Sequence, residues 1–384
     1  MSQSVYLQSK PRYEVLDGLR GVAAMIVLAF HLFETYAGGN HINQIINHGY
    51  LAVDFFFVLS GFVIGYAYDD RWDKMSLGAF AKRRLIRLHP MLVIGSIFGG
   101  ALYYFGGCDV FPIINSTSWE KVALVTLLGC LLIPTRGSLD IRGWTEGYPL
   151  NGPAWSLMFE YIANALYALI FRHLGKILLG IFVFGFAILT VLLTMNIDLW
   201  GFLASRQSLA YTVIGGWSID PDQLYVGFSR LLYPFFGGLL LSRIRFKIKL
   251  RNGFVWSAVI ITALLAMPFA GTETVQWTNG LYEAVSIILI FPLIVAIGAG
   301  SSEMGAKTSR VCKWLGEISF PLYITHYPLI YLQTSWALSN PDAPTSTCVW
   351  VSVSVFVVAV AIAHAMYRLY DVPVRAWLKK KLFK

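Results

Sequence analysis

Two side chains capable of acid–base or anion chemistry lie on the first long apolar segment, LDGLRGVAAMIVLAFH. Arg20 and His31 are eleven residues apart, and at 100° per residue this separation returns to within about 20° of one helix face, ~16 Å further along the axis. A neutral imidazole is the usual general base near pH 7, and Glu34, one turn on, is placed to fix its tautomer. The alternative is a histidine satisfied by a neighbouring helix and an arginine whose head reaches the headgroups.

Three further charged groups interrupt apolar segments, where each costs at least ~2.5 kcal/mol on insertion scales and therefore needs a partner or a function. Asp54, in GYLAVDFFFVLSGF, could hold His31 or Arg20, or it could be a helix-end charge near the outer interface. Glu160, in NGPAWSLMFEYIAN, is an acid that structural hydrogen bonding explains poorly. Arg230 needs an anion, and Glu160 or a ligand would serve.

A basic cluster, AKRRLIRLHP, precedes a helix that is expected to begin near Pro90. Arg84 and Arg87 are three residues apart and so lie on one side, where they present two guanidinium forks suited to phosphate oxygens. Anionic lipid headgroups would satisfy the same forks, and this is the usual explanation of an isolated basic cluster.

A late apolar segment carries a polar face that is predicted to line the interior of a helix bundle. Its members, spaced by four, three and seven residues, are Ser319, Tyr323, His326 and Gln333. His326 is interpreted as a core hydrogen-bonding residue rather than a second base.

The composition shows that a bilayer is the solvent of this chain. Of 384 residues, 57% are hydrophobic and 13% are charged, with a mean hydropathy of +0.61, whereas soluble domains carry about a quarter charged residues. The net charge of +9 lies in clusters beside apolar segments, where lipid orientation explains it better than nucleic-acid binding does. Four cysteines lack CxxC spacing, so neither a metal site nor a disulfide framework is indicated. The polar start is no cleavable signal peptide, and the first apolar segment should remain as an anchor.

Eleven apolar segments are long enough to be candidate membrane helices. They lie roughly at 19–36, 49–68, 89–106, 119–134, 153–171, 177–197, 224–242, 254–270, 281–299, 317–337 and 348–368. Basic clusters, which should be cytoplasmic by the positive-inside rule, lie at 71–87, 172–176, 243–251, 307–313 and 368–384.

The number of crossings between two cytoplasmic clusters must be even, and only the interval 87–172, with three candidates, breaks this rule. One segment within 89–134 is therefore predicted to enter the membrane without crossing it, which points to a pocket there because irregular backbone needs protein or water around it. The sequence predicts an all-α, polytopic transmembrane helix bundle with about ten spans plus one re-entrant or interfacial segment. Both termini are expected to be cytoplasmic and residues 1–384 to form a single transmembrane domain.

Five motifs, LDGLRGVAAMIVLAFH, GYLAVDFFFVLSGFVIG, RRLIRLHP, WSLMFE and ISFPLYITHYPL, occur in this order. Together they resemble the acyltransferase 3 family of membrane-embedded O-acyltransferases over essentially the whole chain. Arg20 and His31 match the family's signature of a basic residue, ten residues and a histidine, and Arg84 and Arg87 match its cytoplasmic Arg-x-x-Arg. The resemblance implies that His31 is catalytic and that the arginines serve acyl-CoA.

The resemblance also implies the reaction and its location. The family acylates extracytoplasmic acceptors such as exopolysaccharide, lipopolysaccharide or glucan, most often with acetyl from acetyl-CoA. Some members carry a C-terminal esterase-like domain, and this chain is expected to be a member without one, in a bacterial cytoplasmic (inner) membrane. No metal is expected.

A route for the donor follows from the charges. CoA is a polyanion, so its phosphates should stay at the cytoplasmic face near Arg84, Arg87 and Arg20. The narrow pantetheine arm would bring the thioester toward His31, while the acceptor enters from the other side.

The expected chemistry centres on His31, which would take the proton of the attacking hydroxyl. An acidic partner should hold the ring, and the candidates are Asp54, Glu34 and Glu160. Arg230 or a backbone donor would stabilise the oxyanion. An acyl-histidine intermediate is the alternative.

A transporter or flippase for a carbohydrate or lipid-linked intermediate would also need charges inside the membrane. It does not predict a histidine in register with a cytoplasmic arginine, nor paired arginines beside it. A purely structural membrane subunit would not explain so many ionisable groups within the apolar segments.

Overall fold

A computed structural model describes residues 10–38, 40–301 and 304–383. Helices dominate this part of the chain and it contains no strand, which confirms the all-α prediction. In hydrocarbon, helices satisfy every backbone N–H and C=O group within one segment.

The described residues contain fifteen α-helices, numbered α1 to α15 in chain order. They are Glu14–Glu34, Ala52–Tyr68, Leu77–Leu102, Pro112–Ser116, Trp119–Cys130, Ala154–Leu169, Lys176–Thr194, Pro221–Ile244, Gly253–Ala266, Trp277–Val285, Phe291–Gly300, Ala306–Thr325, Tyr327–Ser339, Thr345–Met366 and Val372–Leu382. Two π-helical turns, Ser286–Ile290 and Tyr367–Asp371, join α10 to α11 and α14 to α15.

Seven helical stretches among the described residues are long and apolar enough to cross a membrane. They are Glu14–Glu34, His48–Tyr68, Leu77–Gly106, Lys176–Thr194, Pro221–Ile244, Trp277–Gly300 and Thr345–Leu382. The protein is therefore an integral membrane protein. The count of ten spans and the cytoplasmic termini stay predictions.

Helix α5 lies within residues 89–134, where the crossing count predicted that one segment does not span the membrane. Its 12 residues extend about 18 Å, which is short of the ~30 Å hydrocarbon core. It runs antiparallel along the second half of α3, where the thiol of Cys130 lies 3.7 Å from the carbonyl oxygen of Val93. This geometry supports a segment that enters the membrane and returns.

Two predicted helix boundaries are wrong. α3 begins at Leu77 rather than near Pro90, because the side chain of Ser76 caps it by accepting from the N–H of Ala79 at 3.2 Å. The predicted span 317–337 is two helices that meet at His326.

Pro328 explains the break at His326. Proline has no N–H to donate to the carbonyl four residues earlier, and the side-chain amide of Asn151 donates to that Ile324 carbonyl instead, at 3.0 Å. The loop between α5 and α6 thus holds the joint between α12 and α13.

Glycines set the contacts that position the polar groups. A β-carbon at Gly61 would lie 1.8 Å from the carbonyl oxygen of Phe235, and one at Gly65 would lie 2.8 Å from Cδ1 of Leu239, so these glycines let α2 lie directly on α8. On α1, a β-carbon at Gly21 would lie 2.5 Å from the carbonyl oxygen of Leu315. This close approach lays α1 along α12 and turns its polar face toward the helix that carries Ser319 and His326.

Candidate active site

The imidazole of His31 is held by a carboxylate from its own helix. Its Nδ1 lies 2.6 Å from Oε2 of Glu34. Because a carboxylate can only accept, Nδ1 donates, and in the neutral ring the lone pair is on Nε2. Among the three acids considered for this task, Glu34 is the one that contacts the ring. The side chain of His31 is 17% exposed, so the ring is partly accessible.

A second histidine lies beside the first. The rings of His31 and His326 are stacked, with centroids 5.4 Å apart and an angle of 30°, and the ring of Tyr327 meets His31 edge-on at 4.8 Å. Nδ1 of His326 lies 3.0 Å from the carbonyl oxygens of Leu322 and Tyr323. The core hydrogen-bonding role expected of His326 is confirmed for Nδ1, whereas its Nε2 is buried without a partner in the described chain.

The polar face of α12 and α13 lies in the interior, as predicted, because all four of its members are at most 9% exposed. Ser319 accepts from Nε of Arg20 at 2.9 Å, and the hydroxyl of Tyr323 lies 2.7 Å from that of Ser156. Gln333 donates to the carbonyl of Leu32 at 3.3 Å.

Arg20 lies ~16 Å from His31 along the axis of α1, which is about half the thickness of the hydrocarbon core. It donates to Asp17 at 3.0 Å as well as to Ser319. Arg87 and Arg12 lie within electrostatic range of its guanidinium. Arg20 therefore belongs to a cluster of cations at its end of the bundle.

Asp54 does not hold His31 or Arg20, and that expectation is wrong. It forms a doubly hydrogen-bonded ion pair with Arg230, at 2.7 and 3.3 Å, and both side chains are at most 2% exposed. The physical reason is the contact of α2 with α8, which carries Arg230, rather than with the polar face of α1. Arg230 was expected to pair with Glu160 or a ligand, and it meets Asp54 instead.

Two further N–H groups of Arg230 are also occupied. They reach the carbonyl oxygens of Tyr50 at 2.7 Å and Gly215 at 3.2 Å. A guanidinium with four such contacts fixes the loop before α8 and the start of α2. Its expected role as the oxyanion donor stays a prediction that this geometry does not favour.

Glu160 pairs with Arg84 across α6 and α3. One oxygen of Glu160 accepts from Arg84 at 2.6 Å and from Ser60 at 2.8 Å. The side chain of Arg84 is 5% exposed, whereas Arg87 is exposed. The two arginines therefore do not present a matched pair of forks, because one of them neutralises an acid inside the bundle.

Sequence reasoning missed a group on the last helix. Arg375 of α15 pairs with Asp371, and both Arg87 and Arg12 lie within electrostatic range of Arg375. The basic end of the chain had been interpreted only as an orientation signal. Asp371 four residues earlier is a local signal that the neighbouring lysines lack, but the nearness of Arg375 to Arg87 and Arg12 joins distant parts of the chain.

The loop between α5 and α6 was also missed. Tyr331 donates to Glu146 at 2.6 Å, and the guanidinium of Arg142 lies 3.4 Å from the centre of the Tyr331 ring. The rings of Tyr327 and Tyr331 are 4.7 Å apart, which links this loop to His31. Burial raises the pKa of Glu146 to about 7, so this carboxyl is partly protonated near neutral pH.

Within the described ranges, no group of three or more His, Cys, Asp or Glu side chains is placed to hold a metal ion. The structure places the imidazole of His326 and the ring of Tyr327 beside His31, and it places a set of arginines around Arg20, toward the other end of α1. The imidazoles offer proton transfer or nucleophilic attack, and the arginines offer anion binding.

Comparisons with known proteins agree with this chemistry. The acyltransferase 3 family, described as an acyltransferase domain, matches residues 13–367. The peptidoglycan O-acetyltransferase OatA of Listeria monocytogenes is 24% identical over 385 residues, covering 94% of this chain and 55% of the relative. The chain thus spans about half the length of that enzyme.

Two other relatives are matched over larger shares of their own length. The acyltransferase MdmB of Streptomyces mycarofaciens is 27% identical over 335 residues, covering 83% of this chain and 79% of the relative. Protein 2 in the picA locus of Rhizobium radiobacter is 34% identical over 169 residues, covering 42% of this chain and 84% of the relative. No solved structure shows a significant match. The family match across residues 13–367 confirms the expected enzyme class, and the chain belongs to the acyltransferase 3 family.

Proposed function

We propose that the protein transfers an acyl group, most simply acetyl, from cytoplasmic acyl-CoA to a hydroxyl group of a carbohydrate beyond the bacterial inner membrane. The observation that carries this proposal is the arrangement on α1. His31, whose tautomer Glu34 sets, lies ~16 Å along the helix axis from Arg20. The Listeria relative is a peptidoglycan O-acetyltransferase, which supports acetyl as the transferred group and a carbohydrate as the acceptor.

The donor end of the proposed site is the cation cluster of Arg12, Arg20, Arg87 and Arg375. Guanidinium groups bind phosphate oxygens bidentately, and CoA carries several phosphates that cannot enter hydrocarbon. Arg84 supports this cluster indirectly, because its charge neutralises Glu160 at 2.6 Å. Anionic headgroups could occupy the cluster when acyl-CoA is absent.

The reacting end is Nε2 of His31. Its lone pair can take the proton of an attacking hydroxyl, or it can attack the thioester carbon and carry the acyl group. In both routes the products are an O-acyl carbohydrate and CoA. Glu34 stabilises the positive charge that the ring acquires in either route.

A direct test uses inverted membrane vesicles from cells that express the protein, so that the cytoplasmic face meets added radiolabelled acetyl-CoA. The proposal predicts protein-dependent release of CoA and incorporation of label into the carbohydrate fraction. Vesicles from cells without the protein are the control. A transporter or flippase would release no CoA, and that result would contradict the proposal.

A further inference from the structure

We propose that His326 is the base that activates the acceptor hydroxyl, and that His31 carries the acyl group between donor and acceptor. This inference rests on the proposed function and chooses between its two routes. The structure provides two imidazoles at one site, and each has a different task in a two-step transfer.

The first observation is the state of the His326 ring. Its Nδ1 lies 3.0 Å from two backbone carbonyl oxygens, those of Leu322 and Tyr323. A carbonyl oxygen can only accept, so Nδ1 carries the proton and Nε2 of the neutral ring holds a lone pair. The hydrogen bonds to the backbone therefore prepare the ring as a proton acceptor.

The second observation is that Nε2 of His326 is buried and has no partner in the described residues, while the residue as a whole is 1% exposed. An unpaired buried acceptor costs free energy, and such groups in native proteins call for an explanation. A substrate hydroxyl that donates to Nε2 would provide the missing hydrogen bond.

The third observation is the distance between the rings. The centroids of His31 and His326 are 5.4 Å apart. A hydroxyl oxygen that attacks a carbonyl carbon on His31 must come within about 3–3.5 Å of that carbon. A second ring at this spacing is close enough to accept its proton over a hydrogen bond, which tightens when substrate is bound.

The chemistry balances with no additional reactant. In the first step, Nε2 of His31 forms a bond to the thioester carbon, the C–S bond breaks and CoA leaves as a thiolate. In the second step, the hydroxyl oxygen bonds to the acyl carbon, the C–N bond breaks, and the hydroxyl proton passes to Nε2 of His326. His326 then returns this proton to the thiolate or to water. His31 cannot be the base for the second step, because its Nε2 carries the acyl group.

The geometry at the helix joint places His326 at this point. Pro328 cannot donate to the carbonyl of Ile324, so the hydrogen-bond ladder is interrupted where α12 and α13 meet at His326. Asn151 fixes the joint through Ile324. The ring is thereby held beside α1 by contacts that do not use its Nε2.

Two substitutions separate the structural task of the ring from the chemical one. His326→Asn places an amide N–H close to the position of Nδ1 and keeps the bond to the backbone, but it has nothing at Nε2. His326→Gln places its amide near the position of Nε2 and supplies no basic nitrogen. A merely structural histidine should be replaceable by asparagine.

The experiment is a rapid-quench measurement on purified protein in lipid nanodiscs with radiolabelled acetyl-CoA. No carbohydrate is added, and water serves as the hydroxyl that receives the acyl group. The wild-type protein should release CoA in a burst of one per site, followed by steady release of acetate. Both variants should keep the burst and lose steady turnover by about 100-fold or more, since general base catalysis contributes 10²- to 10⁴-fold.

Gln333→Leu is the matched control, because it removes a buried hydrogen bond between α13 and α1 without touching an imidazole. It should keep both the burst and the turnover of the wild type. Size-exclusion profiles and thermal melts check that each variant is folded.

Other outcomes separate this inference from the proposed function. Wild-type turnover in His326→Asn would overturn the inference. So would loss of the burst in both folded variants, which would place His326 in the first step. Release of CoA by the wild type without a burst would remove the acyl-histidine and this inference while leaving the proposed function intact. No CoA release at all would contradict the proposed function itself.

Discussion

Among the described residues, the ring of His31 is hydrogen-bonded through Nδ1, to Glu34 at 2.6 Å. The opposite nitrogen is left for substrate, as a general base or nucleophile requires. The arginines differ from one another in how accessible their guanidinium groups are to a ligand. Arg84 is paired with Glu160 inside the bundle, whereas Arg87 is exposed, so Arg87 is the more accessible of the two to the proposed donor.

Arg87→Ala and Arg375→Ala should each weaken acyl-CoA binding about tenfold or more, because each removes a charged partner of the phosphates. Both proteins should keep the melting temperature of the wild type within a few degrees. A binding titration with a non-hydrolysable acetyl-CoA analogue measures the effect. Lys307→Ala, which removes an exposed cation in the first turn of α12, is the control. Equal affinity in all four proteins would remove Arg87 and Arg375 from the donor site.

The placement of charged residues along a single helix was predicted best, and their partners on other helices were predicted worst. The spacing of Arg20 and His31 on one helix, and the nearness of Glu34, depend only on helix geometry. The pairs Asp54–Arg230 and Arg84–Glu160 join separate helices. One chain alone does not show which helices are neighbours, so Asp54 was assigned to the wrong partner.

At the level of helices, small residues decide which elements meet. The side-chain-free surface of α2 at Gly61 lets the backbone of α8 approach to a distance that a methyl group would block. Since helices in lipid gain little from hydrophobic burial against each other, such close packing is a main source of their association.

Gly61→Ala should therefore destabilise the protein by about 1–3 kcal/mol or more, as overpacking does elsewhere. A thermal melt in detergent measures this as a lower transition temperature. Gly180→Ala on α7 is the matched control, because its β-carbon would meet nothing within 4 Å and alanine favours a helix over glycine. An unchanged melt for Gly61→Ala would contradict the packing of α2 on α8.

Helix existence was predicted well and helix ends were predicted poorly. The length of an apolar segment identifies a membrane span. The start of α3, however, lies in polar sequence before Pro90, where Ser76 caps the helix. The joint at His326 depends on Asn151, which is distant in sequence. A hydropathy pattern shows neither the side chain that caps a helix nor the side chain that donates to a carbonyl left free by a proline.

At the scale of the whole molecule, the proposed reaction brings the donor and the acceptor from opposite sides of the membrane. This arrangement requires two parts of the chain to lie on the acceptor side of the membrane: the loop between α5 and α6, and the C-terminal end of α3. The structure places Arg142 of this loop 5.4 Å from the ring of Tyr103, at the end of α3. The crossing count from the sequence pointed to the same segment, because charge and length together restrict topology more than either does alone.

Single cysteines introduced at Asp109 and Gly143 in a protein whose four native cysteines are replaced should both react with a membrane-impermeant maleimide added to intact cells. Both positions are exposed and flank α5, so a re-entrant α5 puts them on one side. A cysteine at Lys313 is the control and should react only after permeabilisation. Labelling of Asp109 and Gly143 from opposite sides would mean that α5 crosses the membrane.

The central claim is that His31 performs the acyl transfer, and its replacement tests this most directly. Purified wild type, His31→Ala and the control His364→Ala should bind acetyl-CoA equally well, since the cation cluster is intact in each. Release of CoA should fall at least about 100-fold in His31→Ala and stay at the wild-type rate in His364→Ala. Wild-type release of CoA by a folded His31→Ala protein would contradict the account.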